Sequence, residues 1–89
     1  MEDGDYMRSE TTHLYDLNKI NQAVIDVTLN EVYDALEERG YNPINLLLGY
    51  LMSGDPGYIS SHKEARNKIM KLDRTEIVEL MVRNYINKE

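Results

Sequence analysis

The chain has 89 residues, no cysteine, and 16 acidic against 10 basic side chains, for a formal net charge of −6. That length makes one small domain. The missing cysteines exclude disulfides and thiolate metal sites as staples, which fits a reducing cytoplasm. The acidic balance argues against nucleic acid, which asks for a broad positive face. No run of about 18 apolar residues is present to span a membrane. The opening MEDGDYMRSE lacks the basic start and apolar stretch of a secretory signal, so the expected location is cytoplasmic. His13 and His62 are far apart and show no HxxxH spacing, so neither a metal nor a cofactor is expected.

Residues 1–17 carry five acids (Glu2, Asp3, Asp5, Glu10, Asp16) against Arg8, a balance of −4. They hold few aliphatics and no sustained period, and read as a mobile acidic arm. Residues 18–89 are the expected helical dimerisation domain. A core of that size is marginal alone and often needs a partner subunit.

The first helix is expected from about Asn21 to Arg39. Ile25, Leu29, Val32 and Leu36 fall on one face, and Ile20, Val24 and Val27 extend the apolar surface. VIDVTL also alternates like a strand, so the start of this element has two readings. Gly40 supplies a left-handed stop. The second helix is expected from Pro43 to about Ser53, capped by Asn42 with Pro43 at its first position. Ile44, Leu47, Leu48 and Leu51 form its face, and Leu46, Tyr50 and Met52 widen it, so it should be buried on most sides. Gly54 ends it. Asp55-Pro56-Gly57 then makes a turn, with Pro fixing φ and Gly permitting positive φ.

The third helix is expected from His62 to about Lys71, opened by a Ser61–Glu64 capping box, with Ala65, Ile69 and Leu72 buried. A fourth follows at once, with Asp73 as cap and Glu76 three residues on. It carries two apolar stripes: Ile77, Leu80, Met81 and Tyr85, then Val78, Val82 and Ile86. Two stripes suggest two contact surfaces, one to its own core and one to a second subunit. The whole is an all-α, four-helix compact domain with an N-terminal arm, expected to be homodimeric.

The chemistry-bearing residues form no catalytic pattern. There is no phosphate-binding glycine loop of either common type. Glu37 and Glu38 are a pair in sequence only, since helix neighbours point apart. Tyr33, Tyr41, Tyr50 and Tyr58 allow a base-stacking reading, but anchoring a core or interface suits their mostly non-basic surroundings better. Residues 62–74 reverse the chain's charge: Lys63, Arg66, Lys68, Lys71 and Arg74 oppose Glu64 and Asp73, a balance of +3. These cations either decorate a solvated helix or form a docking patch for a carboxylate-rich or phosphorylated segment, the chain's own arm included. The arm in turn presents Ser9, Thr11 and Thr12 among acids, where a kinase could add nearly two negative charges.

The run YDALEERGYNPINLLLGYLMSGDPGYISSHKEARN resembles the IreB family of small regulatory phosphoproteins of Gram-positive bacteria. The likeness extends over roughly residues 10 to 86. It implies an all-helical homodimer whose N-terminal arm is phosphorylated by a membrane Ser/Thr kinase with extracellular PASTA domains and dephosphorylated by a cognate phosphatase. It further implies tuning of cell-envelope stress responses and, in one branch, control of proteolysis of an enzyme of early peptidoglycan synthesis. The family's arm threonine, in an Asp-x-Thr-x-x-Phe-x-Phe-like pattern, falls on Thr12, with Tyr15 and Leu17 at the hydrophobic positions and Ser9 as a second hydroxyl. Leu17 replaces an aromatic, Thr11 replaces a charged residue, and the leader before Ser9 is longer, so Thr11 stands as a competing site.

The expected function is therefore a non-enzymatic phospho-switch with a kinase, a phosphatase and a downstream regulatory protein as partners. His62, Lys63 and Arg66 are the expected contacts for the phosphorylated arm or partner, on the ground that the third helix opens with free N–H groups and carries cations. Arg66→Glu is the expected way to abolish regulation with the dimer folded. The rival is a constitutive helical adaptor with an inert tail. A small enzyme would need a deep polar pocket.

Overall fold

The computed structural model describes residues 17–86, and among them every regular element is helical. The α-helices are α1 (Leu17–Glu38), α2 (Pro43–Ser53), α3 (Ala65–Met70) and α4 (Arg74–Ile86), with 3-10 turns at Pro56–Tyr58 and His62–Glu64.

Helix α1 starts four residues before the expected Asn21, at Leu17. The sequence from Leu17 to Ile20 contains no glycine or proline to stop it. The strand-like VIDVTL lies within this helix. Ile25, Val32, Ala35 and Leu36 are buried, with Leu29 half-buried beside them. The helix closes in a Schellman arrangement: Tyr41 N–H donates to Leu36 O at 3.1 Å and Gly40 N–H to Glu37 O at 2.9 Å. Gly40 sits at φ +79° to allow this.

Helix α2 has the expected limits because both ends are set locally. The Asn42 side chain accepts from Asn45 N–H at 3.2 Å, and Gly54 at φ +77° donates back to Tyr50 O at 2.7 Å. Its burial is less than expected. Pro43, Leu47 and Tyr50 are buried, whereas Ile44, Leu48 and Met52 are 62%, 56% and 78% exposed. Their spacing of four puts them on one stripe, so the two faces predicted as one apolar surface separate into a covered and an uncovered row.

The chain from Gly54 to Ile59 is tied to itself. Asp55 accepts from Gly57 N–H at 2.8 Å, Tyr58 N–H reaches Asp55 O, and Ile59 N–H reaches Pro56 O. Gly57 does not use positive φ, contrary to the expected turn; Gly40 and Gly54 are the described glycines that do. The turn closes through the Asp55 side chain instead. It delivers Ile59, fully buried, into the core formed by α1, α2 and α3 together with Ile69 and Ile77. Burial of side chains of this size stabilises by about 1.5–3 kcal/mol each.

Helix α3 is shorter than expected. The α-helix begins at Ala65, and His62–Glu64 forms a 3-10 turn in which Lys63 (φ 52°) and Glu64 (φ 62°) are left-handed. The Ser61–Glu64 capping box does not form: Ser61 makes no side-chain cap bond, and Ser60 Oγ accepts from His62 N–H at 3.0 Å. Helix α4 is capped as expected, with Asp73 Oδ1 accepting from Thr75 N–H at 2.8 Å. Among the described residues its start is anchored by buried Ile77, half-buried Leu80 and a bond from Arg74 Nη1 to Leu51 O at 2.9 Å. Met81 and Tyr85, on the expected stripe with Ile77 and Leu80, are exposed, because the core ends one turn before them.

Candidate functional site

His62 and four of the five cations of residues 62–74 are brought against this chain's own oxygen atoms. Glu38, the last residue of α1, receives His62 Nε2 on Oε1 at 2.9 Å. Lys63 Nζ lies 3.0 Å from both of its carboxylate oxygens. Seven residues earlier on the same face of α1, Glu31 meets Lys68 at 3.3 Å. Arg66 Nε donates to Ile59 O at 2.9 Å, and Arg74 donates to Leu51 O. Lys71 is the cation of the segment without such a partner among the described residues.

His62 and Lys63 thus converge on one carboxylate at the surface, with side chains 28% and 61% exposed against 47% for Glu38. Arg66 lies on the adjoining turn but spends its Nε on the backbone of the Ile59 plug. Arg66→Glu would therefore disturb the core-facing turn as well as the charge, which makes it a poor probe of regulation. Lys63 is the cleaner position.

The backbone explains how the corner is aimed. A left-handed conformation at a residue with Cβ costs about 1–2 kcal/mol, and Lys63 and Glu64 adopt it in succession. Such strain persists only where the surroundings over-determine it, and it clusters at functional sites. Here Ile59 and Ala65 are buried on either side, and the hydrogen bonds of His62 N–H to Ser60 Oγ and Arg66 N–H to Ser60 O fix the turn.

Most of the N–H groups expected to be free at the start of the third helix have acceptors. Those of His62, Glu64, Ala65 and Arg66 all donate within the segment. What the corner offers an anion is side-chain charge. The His62 hydrogen bond first, and that of Lys63 second, hold the Glu38 carboxyl below its ordinary value of 4.5, so it stays ionised at neutral pH.

Sequence reasoning missed Glu38. The signal was available: an acid in the last turn of a helix opposes the negative end of the helix dipole, and the last turn of α1 has no basic residue. Ser9, Thr11 and Thr12 lie outside the described residues. Among the described residues no group of three or more His, Asp or Glu side chains could hold a metal ion. No described helix is long and apolar enough to cross a membrane. An open cleft between α2 and α4 is lined by Leu51, Arg74, Thr75, Val78 and Glu79.

The second surface of note is apolar. Val78, Val82 and Ile86 on α4 are exposed, as is the Ile44, Leu48 and Met52 row of α2. Exposed apolar rows of this kind mark contact surfaces. Of the tyrosines weighed as stacking residues, Tyr50 is in the core, Tyr33 packs against it, and Tyr41 and Tyr58 are exposed.

The described residues form a small all-helical domain with one charged corner and two exposed apolar rows. A comparison with known families matches residues 10–87 to the IreB regulatory phosphoproteins. The chain belongs to that family, and the resemblance read from its sequence was to the same one.

Proposed function

We propose that the protein is a non-enzymatic phospho-switch. A Ser/Thr kinase with PASTA domains phosphorylates the N-terminal segment on Thr12, with Thr11 and Ser9 as further acceptors, and a cognate phosphatase reverses it. The helical body works in the cytoplasm as a homodimer and reads the phosphate, or a downstream regulatory protein, through His62, Lys63 and Arg66. The output is the cell-envelope stress response and peptidoglycan synthesis, through regulated proteolysis. The observation that carries this reading is the convergence of His62 and Lys63 on one exposed carboxylate in a chain of a phosphoprotein family. Exposed ion pairs add little to stability, so the pairing at this corner can be exchanged for a partner's charge at small cost to the fold.

The homodimer is supported by the uncovered rows on α2 and α4, which a second copy would remove from water. Replacing Thr12 by Ala, singly and with Thr11 and Ser9, tests the switch: the kinase-dependent response is lost. Lys63→Glu should abolish it with the helical content unchanged. A constitutive adaptor is favoured by one observation, that the cations are already paired within the chain. An adaptor would not respond to Thr12→Ala.

A further inference from the structure

Glu38 stands where its own helix gains nothing from it. It ends α1 at the negative end of the helix dipole, and its side chain is half exposed. Both of its oxygens are nevertheless engaged, by two side chains drawn from a turn more than twenty residues away. One of those side chains, Lys63, is carried on left-handed backbone. The corner as it stands is electrically closed: one carboxylate answers one ammonium, with the imidazole beside it.

We propose that Glu38 is a resident counter-ion that sets a threshold on this corner, so that His62 and Lys63 exchange it for a phosphomonoester dianion and not for a carboxylate. The proposal rests on the reading of the corner as a phosphate contact and adds what keeps weaker anions out. An incoming Asp or Glu side chain brings one charge and two oxygens, the same as Glu38. It must also compete with a tethered carboxylate whose effective concentration is on the order of millimolar. The exchange therefore yields nothing. A phosphothreonine brings about −1.5 to −2 charges and three acceptor oxygens. It can accept from Lys63 and His62 together and keep an oxygen for a further donor. The displaced Glu38 side chain returns to water, which its exposure permits. Acidic segments, including the chain's own residues 1–17 with their five acids, are thereby refused until they are phosphorylated.

The test is a titration of the isotope-labelled full chain, following the backbone amides of His62, Lys63 and Glu64 by NMR. The probes are a peptide of residues 6–18 with phosphothreonine at position 12, the same peptide with Thr12→Glu, and a scrambled phosphothreonine peptide. The native chain should bind the phosphopeptide at least about tenfold more tightly than the Thr12→Glu peptide. A tethered competitor weakens every ligand of the corner by the same factor, so in Glu38→Gln both peptides should gain affinity together, by at least about threefold, with their ratio kept. Glu38→Asp, which keeps the charge but shortens the reach, should give an intermediate gain and serves if the glutamine variant does not fold. Affinities unchanged in both variants, with the phosphopeptide still shifting His62 and Lys63, would overturn the threshold while leaving the corner as a phosphate contact. No shift at these amides with any probe would overturn both. Equal binding of the scrambled peptide supports a site open to any phosphorylated segment, and weaker binding supports the chain's own; the threshold holds in either case.

Discussion

Between Gly54 and Arg66 the chain is fastened to itself at nearly every step, by Asp55, Ser60 and the buried Ile59, and it ends in charged groups held on strained backbone. Beyond Leu80, helix α4 shows Met81, Val82, Tyr85 and Ile86 to solvent. One surface is polar and held in place by tertiary structure; the other is apolar and exposed. The difference teaches that the small core supports only one well-determined surface. The corner is over-determined because α1, α2 and α3 meet beneath it. The α4 row is what remains when the core stops at Ile77 and Leu80, and a second copy of the chain is the cover we propose for it.

This contrast can be broken by mutation. The largest effect is expected beneath the corner. Ile69→Ala, at a fully buried position, should cost about 2–5 kcal/mol in chemical denaturation. The same truncation at Val82 should stay within about 0.5 kcal/mol for an isolated chain; an equal loss at both sites would erase the distinction between covered and uncovered ends.

Gly54→Ala should come next. Its φ is +77°, and an added Cβ would lie 2.8 Å from the Arg74 guanidinium. The left-handed backbone alone should cost about 1–2 kcal/mol, and loss of the Arg74 contact should loosen α4 first, visible as faster amide exchange there. Val82→Asp should dissociate the proposed dimer while changing the helical content of the chain little, as read by sedimentation and circular dichroism. A dimer that survives Val82→Asp moves the interface elsewhere, the α2 row being the first alternative.

The smallest effect is electrostatic. The Glu38 carboxyl is depressed below its ordinary value of 4.5 in the folded chain by His62 and Lys63. Its contribution to stability is therefore present above that pH and is lost as pH falls through the lower folded value. Carboxyl-carbon NMR should place its midpoint below 4.5, and Lys63→Met should move it upward. A midpoint at or above the ordinary value would mean the corner is open in solution.

The sequence made legible what is decided locally. Helix α2 was readable to the residue because Asn42, Pro43 and Gly54 mark its ends without help from the rest of the chain. The cap at Asp73 was readable for the same reason. The start of α3 was not. Ser61 and Glu64 have the spacing of a capping box, but seating Ile59 and Ala65 in the core and bringing Lys63 to Glu38 require left-handed backbone at Lys63 and Glu64, so tertiary demand overrode the local signal. His62 and Lys63 were singled out from charge and position, and the structure brings both to Glu38. Glu38 was passed over because its pairing is made across the fold. Burial on α2 and α4 was overestimated because apolar periodicity reports that a face wants cover and not whether the same chain supplies it.

The central claim is that this body presents and reads a modifiable N-terminal segment. Incubation of the full chain with its Ser/Thr kinase, followed by intact mass and fragment mapping, tests that claim most directly. We predict phosphate on Thr12, with Thr11 and Ser9 as the lesser acceptors. Phosphate found only within residues 18–89, or none under conditions where the kinase modifies its other substrates, would contradict it.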